Sequence, residues 1–251
     1  MSVLVAGVDL SAEDTKTWMA SLEFTRGRAT LSSLDAKVSN AQIVAAAGPA
    51  DKVGIDCPLG WPVDFLAFVN EHMSGPVRSR AGTPLDWRRH LAYRETDRFV
   101  TKETGLRPLS VAADRIAHAA MRCAALLAEL SRAGVAVDRS GVGGKVVEVY
   151  PAVSLKRWGL THRGYKHTEN ALHLDELVST LLAAAPWLDL GDFESICRLN
   201  DDAFDAVIAA LSAGASAVGL TSPPALGVTT HLAQREGWIA VPHEGSLSQL
   251  V

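Results

Sequence analysis

Two short apolar runs, each closing on an aspartate, constrain this chain more than any other feature. Val3 to Val8 is almost continuously apolar and ends Gly7-Val8-Asp9, while Lys52 to Cys57 (KVGIDC) delivers Asp56 before the breaker run Pro58-Leu59-Gly60-Trp61-Pro62. Runs that are apolar at nearly every position, rather than at alternate ones, fit strands covered on both faces. Trp18 to Phe24 and Arg28 to Leu34 read as two further strands, joined through Thr25-Arg26-Gly27, which supplies the glycine a hairpin needs. Lys145 to Tyr150 (KVVEVY) is another, carrying Glu148 and broken by Pro151. Ser39-Asn40-Ala41-Gln42 is a capping-box pattern opening an alanine-rich helix that stops at Gly48-Pro49. Further helices are expected from Ser110 to about Arg132, from Leu172 to Ala185, and from Asp201 to Ala217 with Asn200 or Asp201 as cap.

With 251 residues, 48% of them hydrophobic, the chain can bury a sizeable core, and one α/β domain over residues 1–251 with an insertion is expected. No run approaches about 18 uncharged apolar residues. The opening Met1 to Leu10 has no basic leader segment, so neither secretion nor membrane spanning is expected. Cys57, Cys123 and Cys197 are widely spaced and form no CxxC pair, which fits a reduced cytoplasm. The net charge of -4 excludes a uniformly basic nucleic-acid coat, but it conceals a local excess. From Gly75 to Pro108 periodicity weakens, and Arg78, Arg80, Arg88, Arg89, Arg94, Arg98, Lys102 and Arg107 outnumber the acidic residues. That segment stands at +4 and the remainder at -8.

Asp9, Asp56, Glu148 and the pair Asp202/Asp205 come from four segments, three of them apolar strands. Buried carboxylates need partners. Parallel central strands that set Asp9 beside Asp56 would need their repulsion relieved by protonation, by Lys or Arg, or by a divalent cation, of which Mg2+ or Mn2+ is the simplest choice. Each residue alone has a structural alternative: Asp9 and Asp56 as turn formers, Glu148 as the outward residue of a half-exposed strand, Asp202 as a first-turn acid favoured by the helix dipole. Asp205, one turn beyond Asp202 on the same face, sits among Ala203, Phe204, Ala206 and Val207, where a carboxylate calls for a reason. His162, His167 and His231 have no zinc-site spacing, and Cys57 fits a buried thiol.

Gly7-Val8-Asp9, the hairpin, Gly54-Ile55-Asp56, Val147-Glu148-Val149-Tyr150-Pro151 and Asp202-Ala203-Phe204-Asp205-Ala206 together resemble the ribonuclease-H-like superfamily of polynucleotidyl transferases. With Ile55-Asp56-Cys57-Pro58-Leu59-Gly60 and Glu236-Gly237-Trp238-Ile239 added, the chain is similar over nearly its whole length to domain of unknown function family 429, described as predicted nucleases. The resemblance implies a mixed five-stranded sheet in order 3-2-1-4-5 with helices on both faces. It also implies a Mg2+ or Mn2+ site at Asp9, Asp56 and Asp205, with Glu148 and Asp202 as additional or alternative ligands. Family 429 has a similar arginine and aspartate at Arg94 and Asp97, and a lysine near the site matched by Lys166. The helix start looks most like the Holliday-junction resolvases, but those place a glutamate where this chain has Asp56 and lack the insertion, so junction specificity does not carry over. The expectation is a metal-dependent nuclease in which Glu148 and Lys166 assist at the site. Nucleic-acid phosphates dock on the basic insertion at about residues 75–110 through Arg88, Arg89, Arg94, Asp97 and Arg98. Gly7-Val8-Asp9 also resembles the first strand of actin-like phosphotransferases, but neither a duplicated Gly-x-Asp strand nor a P-loop is present. A non-catalytic nucleic-acid or nucleotide binding module of the same fold is the remaining alternative.

Overall fold

The computed structural model describes residues 2–77 and 84–251. The first apolar run forms β1 (Val3–Asp9), and the hairpin follows as β2 (Trp18–Thr25) and β3 (Arg28–Ala36), each antiparallel to the strand before it. Ser39 caps α1 (Asn40–Ala47) with the expected box: its hydroxyl oxygen accepts from the Gln42 amide, and the Gln42 side chain accepts from the Ser39 amide. The chain returns as β4 (Lys52–Asp56), parallel to β1. Four helices follow, α2 (Val63–Ser74), α3 (Pro84–Ala92), α4 (Glu95–Thr104) and α5 (Ala117–Arg132). Then come β5 (Val146–Glu148), parallel to β4, α6 (Pro151–Arg157), α7 (Ala171–Ala184), β6 (Leu188–Asp189) and α8 (Glu194–Cys197). The last elements are α9 (Asp201–Ala217), β7 (Thr221–Ser222), α10 (Val228–Glu236) and β8 (Val241–Pro242).

The main sheet has six strands in the order β5-β4-β1-β2-β3-β6, and β7 and β8 form a separate antiparallel pair. The order 3-2-1-4-5 is contained in it, but the expectation of five strands is corrected. At two residues, β6 is too short to carry a periodic signal, and it joins the β3 edge in parallel. A second correction concerns the helix expected from Ser110. Ser110 does accept the Ala113 amide, but the Asp114 carboxylate accepts from the Ser110 amide in return. The cap therefore closes an isolated turn, and α5 begins at Ala117. The weakly periodic insertion holds α3 and α4. Its Arg78 and Arg80 lie outside the described residues.

The two faces of the sheet carry separate cores. Val5 and Leu22 pack with Phe204, Val207 and Leu211 of α9, whereas Val8 and Ile55 pack with Ile43 of α1 and Leu126 of α5. At about 1.5–3 kcal/mol for each large apolar side chain removed from water, cover on both sides explains why β1 and β4 are central. In α9, capped by the Asn200 side chain on the Ala203 amide, every residue from Ala203 to Ala215 is buried. A helix apolar all round belongs inside the molecule. Among the described residues no helix is long and apolar enough to cross a membrane.

Candidate metal centre

The site is a product of register. In the β1–β4 pair Gly7 stands opposite Gly54 and Asp9 opposite Asp56. Since side chains alternate along a strand, all four belong to the face covered by α9. The glycines let that helix lie directly on the sheet. A Cβ on Gly7 would meet the Ala210 nitrogen at 2.0 Å and the Ala206 carbonyl oxygen at 2.3 Å, and one on Gly54 would meet the Ala209 carbonyl oxygen at 2.6 Å. One step toward the carboxyl ends of the strands, the aspartates meet the start of the helix, where Asp205 is 0% exposed. Carboxylate oxygens of Asp9, Asp56 and Asp205 all lie within 4.8 Å of one another. Two oxygens on one hard cation, with bonds of about 2.0–2.6 Å, fall within such separations.

The other candidates divide around this triad. The Tyr165 hydroxyl donates to Asp205 Oδ1 at 2.8 Å, and Lys166 Nζ stands 2.5 Å from Asp205 Oδ2. That contact is an ion pair, so the Lys166 ammonium already meets one oxygen of the buried carboxylate. One ammonium beside three clustered carboxylates leaves negative charge that a divalent cation would balance. Asp202 is partly exposed in the first turn of α9 and stays outside the triad. Lys166 was legible from the sequence. The Tyr165 phenol that holds Asp205 was not assigned a role, although it is the neighbouring residue and 1% exposed.

Charge at the site is only partly relieved. Burial, then repulsion from Asp56 and Asp205, holds the Asp9 carboxyl well above its ordinary range. Burial pushes Asp56 up to about 7, with Lys166 opposing and Asp205 and Glu148 adding. Asp205 is raised by burial against the pull of Lys166 and Tyr165. Burial alone would lower the Lys166 ammonium, but Asp205 and Asp56 hold it above its usual value. A carboxyl whose folded pKa lies above its unfolded one contributes stability that is complete below the unfolded value and lost as pH rises through the folded value. The metal-stripped protein should therefore melt lower at pH 8 than at pH 5.5, by an amount reduced in Asp56→Asn. A melting series in EDTA showing the same slope in both proteins would refute this reading of the triad.

Glu148 and Arg94 form a second, deeper unit. Both are buried, at 2% and 1% exposure, and all five guanidinium N–H groups are used. Arg94 donates from Nη1 to Glu148 Oε2 (2.8 Å) and the Glu236 carbonyl (3.0 Å). It donates from Nη2 to Glu148 Oε1 (2.7 Å) and Asp97 Oδ1 (2.9 Å), and from Nε to Asp97 Oδ2 (3.2 Å). The Leu59 amide donates to Glu148 Oε2. Glu148 is thus a fixed neighbour of Asp56 and lies outside the triad. Arg94 and Asp97, expected from the sequence to meet nucleic-acid phosphates, are instead buried, with Arg94 spent on both Asp97 and Glu148. The Glu236-Gly237 motif now has a physical cause. Glu236 accepts the Val63 and Glu95 amides, and Gly237, at φ +92°, makes room for the pair, since a Cβ there would stand 2.6 Å from Glu148 Oε2.

Elsewhere in the insertion, Arg98 is taken by Glu95 and the Tyr93 carbonyl, and Arg89 lies 3.6 Å from Asp86 on an exposed face. Arg88 and Arg89 belong to α3, which packs on α2 through an edge contact of Trp87 with Phe68. A mixed α/β sheet presenting paired strand-end aspartates beneath a buried helical carboxylate is the class of molecule that fold and site define. The chain belongs to the family described as protein of unknown function (DUF429), whose model matches residues 7–226, a span including Asp9, Asp56, Glu148, Lys166 and Asp205. No curated protein and no solved structure matches it.

Proposed function

We propose that this protein is a divalent-metal-dependent phosphodiesterase acting on nucleic acid, a nuclease of ribonuclease-H-like type, with Asp9, Asp56 and Asp205 as ligands for Mg2+ or Mn2+. The observation that carries the reading is the register pairing of Asp9 with Asp56 under the buried Asp205, which brings oxygens of all three carboxylates within 4.8 Å of one another. A cation bound there supplies Lewis-acid stabilisation of a phosphoryl oxygen and a water acidified toward neutral pH. The residues of the chain do the remaining work. Lys166, 48% exposed in its side chain and held charged by its acidic neighbours, reaches from Asp205 toward solvent and can hold a phosphate oxygen. Tyr165 fixes Asp205, and the Arg94 clamp fixes Glu148 behind Asp56. Arg88 and Arg89 of α3 are the proposed contacts for more distant backbone phosphates.

The Lys166 ion pair also supports a second reading, a binding module in which the ammonium alone balances the carboxylates. Calorimetric titration of Mn2+ into metal-stripped protein separates the two. Saturable binding that weakens at least tenfold in both Asp9→Asn and Asp205→Asn is expected of one site joining β1 to α9. No binding, or binding indifferent to both changes, sinks the metal-dependent reading.

A further inference from the structure

Beside the triad a cavity of about 500 Å³ opens between the end of β5 and the segment that follows α4. It touches the acidic residues only at Asp56 and at Glu148, whose charge Arg94 balances. Its lining divides by chemistry. Leu106, Pro108, Leu109, Ile116 and Ile239, with Tyr150, make an apolar part, whereas His162, Arg163, Lys166 and His167 make a cationic and polar one. Tyr150 is partly buried on a small core that includes Val153 and Ile239, which anchors its ring. Pockets for small organic ligands run to about 300–1,000 Å³, so this one has room for a nucleoside. A base stacked and paired within a duplex cannot enter such a chamber without being extruded. Aromatic side chains stack bases, and Lys and Arg hold the adjoining phosphates.

We infer that this cavity seats one unpaired nucleobase of the substrate against Tyr150, Leu109 and Ile239, while Arg163 and Lys166 draw the attached phosphate toward Asp9, Asp56 and Asp205. The inference rests on the phosphodiesterase reading and adds a substrate class to it: single strands, frayed ends and extruded nucleotides in preference to intact duplex. The volume, the one-sided apolar lining and the cationic residues beside Asp56 all favour that occupant.

The test measures binding by fluorescence anisotropy, with Ca2+ replacing Mg2+, to three labelled 12-nucleotide probes in DNA and RNA versions. These are a single strand, its blunt duplex, and the same strand carrying abasic linkers in place of its bases. The intact single strand should bind about tenfold tighter than the other two, the scale of one stacked base. Tyr150→Ala should remove that preference. Leu109→Glu, at a position 43% exposed and so tolerant of change, should remove it without disturbing the fold. Both variants should keep wild-type Mn2+ affinity. Equal binding of strand and duplex, equal binding of abasic and intact strand, or a preference that survives both substitutions would overturn the base site. In those cases the phosphodiesterase reading stands as long as Mn2+ binds the triad. Failure of every probe to bind would remove both readings, and it is distinguishable because no form of nucleic acid then gives a signal.

Discussion

Gly7→Ala is expected to destabilise the protein by roughly 3 kcal/mol or more, the upper range for forcing volume into a packed core, and so to lower its melting temperature by about 10 °C. The added carbon would collide with the backbone of α9 at Ala206 and Ala210, which no rotamer change relieves. Relief requires the helix to lift from β1, and that carries Asp205 away from Asp9. Mn2+ affinity should therefore fall in the fraction that remains folded, although no carboxylate has been touched. Gly48→Ala is the control. There the nearest atom would be the Ala45 carbonyl oxygen at 3.4 Å, with φ at -54°, so little change is expected. A Gly7→Ala protein with wild-type melting temperature and Mn2+ affinity would mean that α9 does not rest on the glycine pair.

The second large effect is expected at Arg94. Replacement by methionine leaves Glu148 and Asp97 buried without their counter-charge, and breaking a buried pair from one side costs about 3–5 kcal/mol. Arg94→Lys should recover little of this, because an ammonium offers three donors where five are used in a planar fork. Adding Glu148→Gln and Asp97→Asn to Arg94→Met should restore part of the stability, since the orphaned charges go with the cation. Denaturant unfolding of the single and triple variants measures this directly. A single variant as stable as the parent would show that the clamp is dispensable.

These two sites also mark the boundary of what could be read from the amino-acid sequence. The apolar runs of β1 and β4, the Ser39 box and the Asn200 cap are local patterns, and each formed where local physics placed it. The triad was legible for a related reason: aspartates at the ends of buried strands, and one on an otherwise apolar helix, stand out against their neighbours. The Arg94 clamp was not. Its spacing to Asp97 is local and was noticed, but Glu148 and Glu236 lie far along the chain and no periodicity links them to it. The Val147-Glu148-Val149 alternation read equally well as a half-exposed strand. Burial of its carboxylate came instead from Arg94, the Leu59 amide and Gly237, all distant in the chain. The apolar cavity was likewise invisible, since its lining residues are drawn from segments brought together only by the fold.

The glycine pair under α9 has a bearing on how the molecule is made. β1 leaves the ribosome well before α9 and becomes a central strand, yet the helix that seals one of its faces begins only at residue 201. Loop closure on that scale is slow, and a nascent chain must hold Val5 and its neighbours against competing contacts until α9 emerges. Three carboxylates then converge in the same late step that expels water from the sheet. A truncated or stalled product accordingly carries the sheet's acidic edge without the site, so the capacity to bind a cation would appear only in chains synthesised past α9.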